Sequence, residues 1–131
     1  MTQPVTSDKS TALNELYCRI TQIAEAMGGR VFPIKSSLPF PSATVAAPRF
    51  EDVPALQVDM PNDFRVEFVP SYPLSFPSDL SMRAKRTYGE LRKSDWHFNF
   101  APDGWRRTQA PLSDDEIRVC LTPERPSPAS Y

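Results

Sequence analysis

Nine prolines lie between Pro33 and Pro77, out of fifteen in a chain of 131 residues, and they decide what the first half can become. Proline fixes φ and carries no amide proton, so it interrupts helix interiors and central sheet ladders alike. That half is expected as short extended pieces joined by turns. Its clearest pattern runs from Ala55 to Val69. Leu56, Val58 and Met60 alternate with Gln57 and Asp59, and Phe64, Val66 and Phe68 alternate with Arg65 and Glu67. A period of two places each apolar trio on one sheet face. Pro61, Asn62 and Asp63 between them are turn formers. The segment predicts a β-hairpin whose apolar face needs cover from elsewhere.

The cover is expected from the N-terminal side. Leu13, Leu16, Tyr17, Ile20, Ile23, Ala24 and Met27 recur at i, i+3, i+4 and i+7 between Ser10 and Met27, the stripe of an amphipathic helix. Ser7, Asp8 and Ser10 offer N-caps, and Gly28 with Gly29 offers a C-cap. A second, short helix is predicted over Asp114 to Leu121. Leu112, Ser113, Glu116 and Ile117 stand at the N′, N-cap, N3 and N4 positions of a capping box with its hydrophobic staple. Ile117, Cys120 and Leu121 would face inward, and Pro123 ends the helix.

Between these lie weaker signals. Arg30 to Lys35 suits an edge strand, because Pro33 forbids a central one. Thr44 to Ala47 suggests an extended piece, and Val69 to Pro77 a surface segment in extended conformation. Residues 78–93 fit two patterns: Leu80, Ala84, Tyr88 and Leu91 at helical spacing, or Leu80, Met82 and Ala84 alternating as in a strand, with the helix preferred. Trp96, Phe98 and Phe100 alternate in a firm strand from Asp95. A turn over Ala101 to Gly104 then leads to a partner strand at Trp105 to Thr108. The expected fold is α+β: an antiparallel sheet built on hairpins, covered by an N-terminal amphipathic helix and a short C-terminal helix. The expected division is a disordered N-terminus at 1–9, one domain at 10–121 and a disordered proline-rich tail at 122–131.

Chemistry is sparse. Net charge is −1, which argues against a wholesale polyanion binder. Cys18 and Cys120 form no CxxC or disulfide framework, and no leader or membrane segment is visible, so a cytoplasmic protein is expected. Both cysteines fall on apolar helix stripes and read as core. His97 is the one histidine; it shares a strand side with Asp95 but has no motif around it. The triplet Asp114, Asp115 and Glu116 suits a first helical turn better than a metal. The four glycines make no phosphate loop. No enzyme activity, cofactor or metal is expected.

One charge asymmetry stands out. From Ser78 to Arg107 the cations Arg83, Lys85, Arg86, Arg92, Lys93, Arg106 and Arg107 outnumber Asp79, Glu90, Asp95 and Asp103, with Tyr88, Trp96, Phe98, Phe100 and Trp105 interleaved. Arginine and aromatic side chains anchor protein interfaces, and the same mixture serves single-stranded nucleic acid. Partner contact is therefore expected at Arg83, Lys85, Arg86, Trp105, Arg106 and Arg107. The leading expectation is a small non-catalytic protein-binding module, an inhibitor or adaptor of a larger complex such as a phage or mobile element carries. The alternative is a nucleic-acid-binding domain that uses residues 83–107.

Overall fold

A computed structural model of the chain describes residues 5–41, 49–61, 63–77, 79–88 and 91–123. In order they form α1 (Val5–Ala26), β1 (Arg30–Pro39), β2 (Phe50–Met60), β3 (Phe64–Pro70), β4 (Ser81–Tyr88), β5 (Leu91–Ala101), β6 (Gly104–Arg107), β7 (Ala110–Pro111) and α2 (Asp114–Cys120). The seven strands make one antiparallel sheet in sequence order, each paired with its successor. The fold is α+β, and both helices contribute to one core.

The central hairpin is β2–β3. Leu56 pairs with Phe68, Val58 with Val66 and Met60 with Phe64, so the two apolar trios share a face. All six side chains are buried together with Leu13, Leu16, Ile20, Ile23 and Ala24 of α1. Asp63 closes the hairpin with a φ of 60°, the left-handed conformation that asparagine and aspartate tolerate best among side-chain-bearing residues.

Hydrogen-bond phase explains how one sheet accepts so many prolines. In an antiparallel pair, the amide groups face the partner at every second residue. The Phe40 N–H donates to the Arg49 carbonyl at 2.8 Å, so even-numbered β1 residues face β2 and odd-numbered ones face the open edge. Pro33 and Pro39 are odd, and their missing protons cost the ladder nothing. On β3, the Ser71 N–H donates to the Ser81 carbonyl at 2.9 Å, which turns odd residues toward β4 and even ones toward β2. Beyond Leu56 and Phe68, the next bonded pair in that phase is Pro54 with Pro70. Neither has a proton to give, and the β2–β3 ladder stops there. Tyr17 of α1 occupies the break. Its hydroxyl donates to the Pro54 carbonyl at 2.8 Å and lies 3.3 Å from the Phe68 carbonyl. Burial raises the Tyr17 pKa, so the hydroxyl keeps its proton.

The α1 C-terminus is a Schellman turn. Gly28, at φ 86°, donates to the Glu25 carbonyl, and Gly29 donates to the Ala24 carbonyl at 2.8 Å. A Cβ on Gly29 would meet the Met60 sulfur, so the chain passes close against β2 at this point. At α2, the Ser113 hydroxyl accepts from the Glu116 N–H at 3.1 Å, and Ile117, Cys120 and Leu121 are buried as the capping box predicts.

Four expectations change. Residues 78–93 carry strand β4 and the start of β5 rather than a helix. The apolar side chains that matter, Met82 and Ala84, alternate with polar ones, and β4 fills the free side of β3 from Phe64 to Pro70. Val5 to Lys9 belong to α1 and not to a disordered terminus, so Ser7, Asp8 and Ser10 lie inside the helix instead of capping it. The stretch from Val69 to Pro77 is not wholly superficial: Val69 and Pro70 still belong to β3, and Val69 and Leu74 are buried. Cys18 is exposed, whereas Cys120 is in the core. The extended piece at 44–47, residues 1–4 and residues 124–131 of the tail expected at 122–131 lie outside the described residues; Thr122 is described, and its carbonyl accepts from Arg86.

Candidate functional site

The six residues expected to meet a partner do not form one surface. Strand alternation sends Met82, Ala84 and Arg86 of β4 into the core and leaves Arg83 and Lys85 on the opposite face, half-buried. Arg86 is 0% exposed, and its surroundings explain why a guanidinium can sit there. Its Nε donates to the Cys120 carbonyl at 2.9 Å and its Nη2 to the Thr122 carbonyl at 2.6 Å. Those carbonyls end α2, where unsatisfied acceptors carry the negative pole of the helix. Arg86 also stacks over Phe64 and Trp96, at 5.4 and 5.1 Å from the ring centroids. It is a buried C-terminal cap for α2, closed off from any partner.

Trp105, 7% exposed, donates its indole N–H to the Ala12 carbonyl at 3.0 Å and thereby ties β6 to α1. Arg107 lies 3.6 Å from the Trp96 ring centroid and pairs with Glu116 of α2 at 3.4 Å. Arg106 forks onto Asp103 across the β5–β6 turn, which holds that carboxyl below its usual range. Of the six, Arg86, Trp105 and Arg107 are thus occupied in joining the sheet to its helices. The arginine–aromatic mixture is real, but much of it points inward.

The polar face of the sheet alternates in sign. Lys85 stands in register between Glu67 on β3 and Asp95 on β5, and Asp59 pairs with Arg65 at 2.8 Å. Arg65 and Lys85 thus have acidic cross-strand neighbours, whereas Arg83 stands between Val69 and His97 and Arg106 between Asn99 and Pro111. A polyanion laid across the rows of Arg65 and Lys85 meets carboxylates.

A different surface has the character the composition led one to seek elsewhere. Between α1 and the edge strand β1 runs a groove of about 860 Å³. Its lining is mainly apolar: Tyr17, Val31, Pro33 and Leu56, with Cys18 and Thr21 along the helix side. Val31 and Pro33 pair with Val58 and Leu56 and so share the face that α1 covers, whereas Phe32, paired with Gln57, turns its ring to the polar face. The charged lining residues, Glu25 and Arg30, both lie at the end where α1 gives way to β1. Sequence reasoning missed this site because Val31, Phe32 and Ile34 read only as an edge strand. The available signal was Val31 with Pro33, apolar residues on one face of a strand that the prolines confine to an edge.

Comparison with protein-family models, with curated proteins and with solved structures finds no match to this chain. Among the described residues, no helix is long and apolar enough to cross a membrane, and no three histidine, cysteine or acidic side chains gather as metal ligands.

Proposed function

We propose that the chain is a non-catalytic protein-binding module, of the inhibitor or adaptor kind, that docks a partner in the groove between α1 and β1. The observation that carries this reading is the apolar lining of that groove, where Val31 and Pro33 share the α1 face with Leu56 beside Tyr17. Apolar side chains left on a concave surface are the usual anchors of protein association. The occupant is an amphipathic helix of the partner. An added strand would need the outward amide protons of β1, and Pro33 and Pro39 withhold two of them. A helix satisfies its own backbone and needs only an apolar trough. From Asn14 to Glu25, α1 rises about 16 Å, which three turns of a partner helix would match.

Because the groove holds charge only at one end, its affinity should depend weakly on salt. The nucleic-acid alternative requires a steep dependence, about one unit of log–log slope per phosphate contact. The test is affinity purification with nuclease treatment, followed by titration of the recovered partner at two salt concentrations against the parent and Val31→Ser. The reading predicts a protein partner, a shallow salt slope and at least about tenfold weaker binding by Val31→Ser. A nucleic-acid ligand with a steep slope, indifferent to Val31→Ser, would overturn it in favour of the alternative.

A further inference from the structure

Arg83 has no acidic residue opposite it on either neighbouring strand. Lys85, two residues along the same strand, is flanked in register by Glu67 and Asp95, whereas Arg83 is flanked by Val69 and His97. Arg83 and His97 stand directly opposite one another on β4 and β5, a position from which two side chains on one face reach the same point. They open onto a pocket of about 380 Å³ between the sheet and the segment after β3. Ser71, Tyr72 and Ser81 complete its polar lining, and Leu38 and Pro70 complete its apolar wall. Among the described residues, no carboxylate lines it. Every polar side chain in the pocket can donate a hydrogen bond: a guanidinium, an imidazole, two aliphatic hydroxyls and a phenol.

That inventory matches an oxyanion. A guanidinium presents a planar fork that meets two oxygens of one phosphoryl group at once, and hydroxyls and an imidazole N–H serve the remaining oxygens. Tyr72 supplies a second element. Its ring packs on Phe76, with centroids 5.6 Å apart, and stands half-exposed at the mouth. A flat apolar group attached to the phosphate would lie against it.

We infer that this pocket binds a small phosphate monoester. Arg83 grips the phosphoryl oxygens, His97 and the serine hydroxyls donate to it, and Tyr72 flanks its organic group. The site is separate from the α1–β1 groove and shares no lining residue with it, so the two readings stand or fall independently.

His97 is the one histidine of the chain, so its ring protons report on the pocket without assignment. The experiment titrates the full chain with phenyl phosphate, and separately with inorganic phosphate, at fixed pH and ionic strength. It follows the His97 ring-proton resonances by NMR and the heat by calorimetry. The expected result is a saturable shift for both probes, tighter for phenyl phosphate. Arg83→Gln should weaken binding at least about tenfold, and Arg83→Lys, which keeps the charge but loses the fork, should fall between. Arg106→Gln, on β6, should leave it unchanged. Far-ultraviolet circular dichroism of each variant checks that the sheet is intact. No saturable shift up to about 20 mM of either probe overturns the inference. So does an equal shift in parent and Arg83→Gln.

Discussion

The groove between α1 and β1 and the segment from β4 to β6 make opposite use of what the chain gives them. The second region holds five of the eleven arginines and both tryptophans, residues that interfaces favour, yet Arg86, Trp105 and Arg107 spend them on internal contacts with α2, α1 and Trp96. The groove is plainer in sequence and leaves Val31, Pro33 and Leu56 along an open trough. Composition counts side chains, while register and the position of a helix terminus decide which remain available. On β4, three cations within four residues meet different fates because the strand period sends Arg83 and Lys85 one way and Arg86 the other.

The largest expected effect tests whether Arg86 is structural. Arg86→Ala removes two charge-assisted hydrogen bonds and leaves the Cys120 and Thr122 carbonyls without their donor in a closed space. It should cost about 3–5 kcal/mol, read as a lower urea midpoint at unchanged slope. A change under about 1 kcal/mol would return Arg86 to the list of surface cations.

Ile20 tests the floor beneath the groove. It is buried with Val58, Val66 and Phe68, and Ile20→Ala should cost about 2–4 kcal/mol as a large-to-small change in a packed core. A parental melting curve would show that α1 does not cover the hairpin. Trp105→Phe is milder. It keeps an aromatic ring but loses part of the indole's volume and the bond to Ala12, and about 1–3 kcal/mol is expected from the same denaturation series.

At the small end, Arg83→Ala and Lys85→Ala should each change stability by less than about 0.5 kcal/mol, since neither joins one layer to another. Equal losses at positions 83, 85 and 86 would erase the distinction between the two sides of β4.

The hairpin, both helices and the aromatic strand were legible because each rests on a local rule: a period of two, a period near 3.6, or a cap spelled out by Leu112, Ser113, Glu116 and Ile117. Residues 78–93 were not legible, because Leu80 and Ala84 satisfy both periods, and only the unpaired side of β3 decides between them. Arg86 could not be placed from sequence for a related reason. Its partners, the carbonyls ending α2, lie 34 and 36 residues away and exist only once α2 has docked. Cys18 went the other way. It sits beside the stripe at Tyr17 but one residue further round the helix, where the groove begins. The prolines were read correctly as limits on helices, and their alignment with hydrogen-bond phase became visible only with the register.

Cys18 also supplies the most direct test of where a partner binds. It lines the groove and is exposed, whereas Cys120 is buried and its thiol is pushed up to about 12 by the loss of solvent, so only Cys18 should react in the native state. Labelling Cys18 with a maleimide photo-crosslinker, and in parallel labelling an Arg83→Cys, Cys18→Ser variant, places the same probe in each of the two regions. Both are then illuminated with the recovered partner after nuclease treatment. The account predicts a protein adduct from position 18, mapped to an amphipathic helix, and little or none from position 83. An adduct from position 83 with none from position 18 would contradict it and put the partner on the polar face of the sheet.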